Sequence, residues 1–177
     1  DTFIEEIFDG FEERGLLDNT LFVFVGDHGE GLRYFSKNHP YDLNIRIPMI
    51  LWSKHLITKP MVTDKLSQHS DIIPTIADLF NLKPKDGTFY GQSIFQPDDH
   101  RNLNITCRIQ DCQVLIAGDL TYIYSPENNT AELYDYKNDP MHTNNQVYSI
   151  SVGTRDKINE YLLSWKNEIF KAHGVND

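Results

Sequence analysis

Residues 20–25, Thr-Leu-Phe-Val-Phe-Val, form a short, continuously apolar run rich in β-formers, and the run stops against Gly26-Asp27-His28-Gly29. A run of this kind fits a strand buried on both faces, as in a parallel sheet. Ahead of it, Phe3, Ile4, Ile7, Phe8 and Phe11 mark one face of an amphipathic helix, Gly15 offers a helix stop, and Asp18-Asn19 turns the chain. Helix, tight turn, buried strand and polar loop in succession predict an α/β domain. In open α/β sheets the functional crevice lies beyond the carboxyl ends of the strands, and Asp27 and His28 occupy that end of this strand.

Neighbouring residues on a strand point to opposite faces, so Asp27 and His28 can converge on one ion only if the backbone turns beneath them. Gly26 and Gly29 offer that freedom. A carboxylate and an imidazole are ordinary ligands for a divalent cation, although two ligands do not complete a site; the alternative is a polar turn after a strand. His39 and Lys37 follow on the same loop, where an imidazole or a cation would suit a developing oxyanion, or the loop is simply solvated. Glu30 is either a supporting group or solvated. His69 precedes a helix and is expected to cap or pack, while His55, His100, His142 and His173 stand among polar residues and are expected to be exposed. Ser93 has no partner pattern for a nucleophile, neither cysteine has a nearby base, and no phosphate-binding glycine loop occurs.

Further along, residues 46–52 read as the next buried strand, with Pro48 near its start. "SDIIPTIADLFNL" reads as a helix capped by Ser70 or Asp71, with Ile72, Ile73, Ile76, Leu79 and Phe80 facing the core. "QVLIA" and "LTYIYS" around Gly118-Asp119 predict a β-hairpin with a two-residue turn, and "AELYDYKNDP" adds an edge strand. An amphipathic helix with Ile158, Tyr161, Leu162, Trp165 and Ile169 on one side ends the chain. Residues 1–100 therefore read as part of a mixed, mostly parallel sheet flanked by helices. Residues 101–177 read as a small antiparallel β subdomain with a C-terminal helix.

With 16 basic against 26 acidic residues the chain lacks the basic footprint of a nucleic-acid binder or of a protein adsorbed on an anionic membrane. No stretch has the roughly 18 apolar residues of a membrane helix. Cys107 and Cys112 either close a small disulfide loop or are unrelated thiols. Acceptor tripeptides for N-glycosylation begin at Asn104 and Asn128, and together with the cysteine pair they lean toward a secreted or lumenal protein. The sequence opens inside a helical pattern without a signal peptide, which suggests a fragment.

"NTLFVFVGDHGEGL", "IRIPMILW", "QHSDIIPTIADLF", "YGQSIF" and "ELYDYKNDPMHTNN" resemble, in this order and over residues 1 to 147, the C-terminal half of the sulfatase family, within the alkaline-phosphatase superfamily. The resemblance implies that Asp27 and His28 bind the active-site metal. It implies calcium first, with manganese or zinc as alternatives; the imidazole by itself favours zinc or manganese. It also implies that His39 matches a histidine contacting the transferred group in the phosphoethanolamine and phosphoglycerol transferase branch. Lys37 is the rival, because many sulfatases carry a lysine in this loop. The family's nucleophile, a formylglycine in true sulfatases, would belong to an N-terminal half absent here.

The expected function is thus a metal-dependent hydrolase of sulfate esters on small molecules or glycans, located extracellularly, in a lumen or in a lysosome, or anchored through sequence upstream. The alternatives are a transferase acting on phospholipid head groups and an inactive fragment or pseudoenzyme. The 177 residues alone are expected to show no turnover and weak metal affinity.

Overall fold

A computed structural model describes residues 1–29, 46–85, 89–97, 101–107 and 112–172. The chain opens with helix α1 (Thr2–Glu13), followed by a 3-10 turn and strand β1 (Phe22–Val25). The helix ends where the sequence expects. Gly15 takes φ +65°, its N–H donates to the Glu12 carbonyl, and the Leu16 N–H donates to the Phe11 carbonyl, which together form a Schellman motif. Phe8 stacks on Phe22 with ring centroids 4.7 Å apart and meets Trp52 edge-on at 4.7 Å, while Phe11 meets Phe22 at 4.9 Å. Aromatic pairs of this geometry add about 0.5–1.5 kcal/mol each beyond area burial. Phe3, expected on the same face, is 69% exposed because it lies more than a turn N-terminal to this ring cluster.

Strand β2 (Met49–Trp52) pairs antiparallel with β1, Phe22 opposite Trp52 and Val25 opposite Met49. Among the described residues β1 has no other strand neighbour. Burial fades toward the Asp27 end: Phe22 is buried, but Val25 and Ile50, the latter opposite Phe24, are 40% and 58% exposed.

Helix α2 (Ile72–Leu79) also ends in a Schellman motif, with Asn81 at φ +52° and the Leu82 N–H on the Ala77 carbonyl. Its buried face differs from the expected one. Pro74, Thr75 and Ala77 are buried, whereas Ile73 and Phe80 are largely exposed. Residues 91–94 dock on the helix through polar contacts, and this selects the face. The Gln92 N–H donates to Asp71 Oδ1 at 2.9 Å, the Ile94 N–H to Thr75 Oγ1 at 3.2 Å, and Ser93 Oγ to Asp78 Oδ2 at 2.6 Å. Ser93 is thereby a buried structural hydroxyl. Gly91 is required by close approach, since a Cβ there would lie 2.0 Å from the Ser70 carbonyl oxygen.

Asp71 ties this helical unit to the β subdomain. It is fully buried and accepts the Gln68 N–H at 2.7 Å and both guanidinium nitrogens of Arg101 at 2.5 Å. Arg101 opens a four-stranded antiparallel sheet of strands β3 (Asn102–Cys107), β4 (Cys112–Ala117), β5 (Leu120–Ser125) and β6 (Thr130–Asp135), in that spatial order. The β4–β5 hairpin turns at Gly118-Asp119 as expected, with Gly118 at φ +59°, the residue a type II′ turn needs at its first central position. Cys112 is disulfide-bonded, and Cys107 stands opposite it in the strand register.

Period-two alternation gives this sheet two apolar faces. Leu103, Val114, Ile116 and Ile123 line one, and Tyr122, Tyr124 and Leu133 line the other. Helix α3 (Val152–Ala172), capped by Ser151 through the Thr154 N–H, covers the second face with Ile158 and the fully buried Leu162. His142 is not the exposed histidine expected from its polar neighbours. It is 4% exposed and its ring stacks on Tyr134 at 4.6 Å, because the 138–144 turn folds back on β6 around the Asp139 carboxylate.

Candidate functional site

The strand end delivers Asp27 and His28 to the surface as neighbours on one side. Their side chains are 89% and 75% exposed, and His28 Nε2 lies 3.6 Å from Asp27 Oδ2. The backbone bends at these two residues directly after β1. Gly26 contributes through space and not through a left-handed conformation: a Cβ there would sit 3.3 Å from two side-chain atoms of Ile47, which would have to yield by a few tenths of an ångström.

Local hydrogen bonds orient both groups. The His28 N–H donates to Asp27 Oδ1 at 2.9 Å, which leaves Oδ2 on the imidazole side. His28 Nδ1 lies 2.8 Å from the Gly29 carbonyl oxygen. A carbonyl only accepts, so Nδ1 carries the proton and the neutral ring keeps its lone pair on Nε2. The N–H groups of His28 and of Asp27 itself hold the Asp27 carboxyl below the usual carboxylate range, and the His28 imidazole adds to this. The carboxylate is therefore ionised at neutral pH.

This donor pair suits a divalent cation. Adjacent ligands with bonds of about 2.0–2.5 Å lie roughly 3–4 Å apart on one ion, and the carboxylate oxygen and the imidazole nitrogen have that spacing. A carbonyl holding the far ring nitrogen is the usual second partner of a ligating histidine. Among the described residues no third histidine, cysteine, aspartate or glutamate joins them, so a full ligand set needs donors beyond these residues. A cavity of about 280 Å³ opens beside the pair, lined also by Ser67, Gln68, His69 and Thr106. Lys37, His39 and Glu30 lie outside the described residues.

His69 does more than pack before its helix. Its Nε2 donates to the Gly26 carbonyl at 2.8 Å, across 43 residues of sequence. It thereby holds the last peptide of the strand end from the α2 side. No local pattern announces this role; only the tertiary fold brings the turn before α2 against the end of β1.

Residues 1–82 match the family model described as Sulfatase. Over that stretch, under half of the chain, the sequence is similar to the sulfatase family. It is 32% identical over 80 residues to the arylsulfatase of Clostridium perfringens, covering 42% of this chain and 17% of that protein. It is 29% identical over 83 residues to the extracellular sulfatase SULF-1 homolog of Drosophila melanogaster, covering 45% of this chain and 7% of that one. The solved structure of a 2-O GAG sulfatase superposes with a TM-score of 0.56 and 17% identity over 96% of this chain and 40% of its own. The chain thus spans under half the length of the sulfatases it matches. The sequence relationship covers α1, both site residues, His69 and α2, whereas the fold likeness to the solved sulfatase extends through the four-stranded sheet and α3.

Proposed function

We propose that the complete protein containing this chain is a metal-dependent hydrolase of sulfate esters, with Asp27 and His28 as two of its metal ligands. The observation that carries the reading is the 3.6 Å approach of Asp27 Oδ2 and His28 Nε2 at a strand end, inside the segment that matches the sulfatase family. A divalent cation there, calcium first and manganese or zinc as alternatives, would supply charge stabilisation to the transferring group. Asp27 contributes a carboxylate kept ionised by backbone N–H groups. His28 contributes the lone pair that the Gly29 carbonyl fixes on Nε2. Lys37 or His39 would neutralise ester oxygens or protonate the leaving group. The remaining ligands and the nucleophile, a formylglycine if this is a true sulfatase, would come from elsewhere in the protein, so the 177 residues alone would turn nothing over.

The substrate is a sulfate ester of a small molecule or a glycan, and the site of action is extracellular or lumenal. Names of relatives, an arylsulfatase and an extracellular sulfatase, support both parts of this reading. The test is Asp27→Ala in the complete protein, assayed on an aryl sulfate before and after chelation and metal restoration. Turnover should fall by more than about 100-fold, as expected when a metal ligand and not merely its support is removed. Near-normal turnover in that variant, or chelation without effect, would refute the assignment.

A further inference from the structure

We propose that this chain carries an N-linked glycan at Asn128 and none at Asn104, although both head an Asn-x-Thr tripeptide. The two asparagines sit in different environments, Asn128 exposed and Asn104 half-buried. Asn128 lies in the four-residue turn 126–129 between β5 and β6, and Glu127, Asn128, Asn129 and Thr130 at the start of β6 are all exposed. The turn is shaped independently of the Asn128 side chain: Asn129 adopts φ +49°, its N–H donates to the Pro126 carbonyl at 3.3 Å, and its Oδ1 accepts from Tyr124 at 3.4 Å. The Asn128 Nδ2 lies 3.4 Å from Ser125 Oγ, at the weak end of hydrogen bonding. Exposed turns of this kind accept bulky additions without loss of packing.

Asn104 is in mid-strand on β3. Its Nδ2 donates to Tyr161 of α3 at 2.9 Å, and its Oδ1 is enclosed. A sugar on that nitrogen would displace the hydroxyl of the half-exposed Tyr161 and crowd the junction of β3 and α3. A chain modified at Asn104 would therefore lose this tie between β3 and α3. The compartment is consistent with the modification: Cys112 is disulfide-bonded, as in proteins that mature under oxidising conditions.

Chemically, Asn128 Nδ2 displaces the diphosphate from the anomeric carbon of a glycosyl diphosphate lipid. A C–N bond forms and the sugar C–O bond breaks. The amide loses one proton, and the lipid diphosphate leaves with the bonding pair.

The experiment is glycopeptide mass spectrometry on the full chain, directed into the secretory pathway of a eukaryotic host. Occupancy is read on the protease-resistant chain from medium or microsomes, so it does not depend on release from the cell. One glycan is expected at Asn128. It should be lost in Asn128→Gln and in Thr130→Ala, and retained in Asn104→Gln. Thr130→Ala keeps the asparagine itself, so matching losses in the two variants separate the modification from a local folding defect. An occupied Asn104 in protease-resistant chain, or an unoccupied Asn128, would overturn the proposal. The sulfate-ester reading is untouched by either result.

Discussion

Replacing Asp71 by alanine removes the acceptor at the junction of α2, the 91–94 loop and the four-stranded sheet. The carboxylate is fully buried, and the Arg101 side chain is 14% exposed. Breaking one side of such a pair costs about 3–5 kcal/mol, because the partner charge stays in place uncompensated. The Gln68 and Gln92 N–H groups lose their acceptor as well, at about 1–3 kcal/mol for each one that water does not reach. These terms share one site and do not add in full. Residual access at Arg101 lets water relieve part of the charge, so the expected loss is about 4 kcal/mol, a large share of a typical domain stability of about 5–15 kcal/mol. With a urea dependence of about 2 kcal/mol per molar, the unfolding midpoint should fall by about 2 M. Arg101→Ala should cost less, about 3 kcal/mol, since the carboxylate keeps two backbone donors. Arg101→Lys should not restore the loss, because the contact is bidentate. The double variant completes a thermodynamic cycle with an expected coupling of about 2 kcal/mol. A midpoint shift under about 0.5 M for Asp71→Ala, or a coupling near zero, would refute the view that this pair joins the two parts.

Two glycines should respond to alanine for different reasons. Gly91→Ala meets the Ser70 backbone at 2.0 Å and should destabilise the chain by about 3 kcal/mol or more in the same urea assay, whereas Gly118→Ala meets nothing within 4 Å and should lose only the cost of a left-handed residue, about 1–2 kcal/mol. Gly118→Asn should recover part of that loss, since asparagine tolerates the conformation. Asp139 is held below the usual carboxylate range chiefly by the N–H groups of Thr143 and Asn144, so its stabilising effect is full above the unfolded carboxylate value near 3.9 and is lost as pH falls through the lower folded value. The midpoint difference between the parent and Asp139→Asn should therefore be present at pH 7 and shrink on acidification; a difference that grows toward acid would contradict this. His69→Ala frees the Gly26 carbonyl and should weaken metal binding by the complete protein about tenfold in a direct titration, with His69→Gln recovering part by supplying a donor; equal affinities in all three would remove His69 from the support of the site.

The elements whose period and punctuation agree were legible in the sequence. The β4–β5 hairpin shows both signals, alternating β-formers and a Gly-Asp turn, and Gly118 adopts the positive φ that the turn requires. Gly15 stops α1 as its position suggests. The face of α2 was not legible. Its largest apolar residues mark one stripe, but Asp71, Thr75 and Asp78 recur at i, i+4 and i+7, and the docking loop bonds to that polar stripe instead. Hydrophobic periodicity ranks faces by transfer energy alone, and here three directed hydrogen bonds to a tight glycine turn decide. His142 is a related case. Its polar neighbours are occupied in closing their own turn, and this places the ring on Tyr134.

At the site, the position of Asp27 and His28 at an exposed strand end was legible, because the apolar run stops directly against Gly-Asp-His-Gly. What holds the strand end was not, because the supports beyond residues 27–29 are distant in sequence. Ile47 crowds Gly26 from the neighbouring segment, and His69 reaches its carbonyl from the turn before α2. The Asp71–Arg101 pair anchors that turn in its place, since Asp71 accepts the Gln68 N–H next to His69. A path of contacts therefore runs from Arg101 at the start of the four-stranded sheet through the turn before α2 to the strand end. Along it, the residues that the family resemblance leaves without a catalytic role gain a physical one: the Gly91 loop and the buried Asp71 fix His69, and His69 fixes the peptide from which both candidate ligands project.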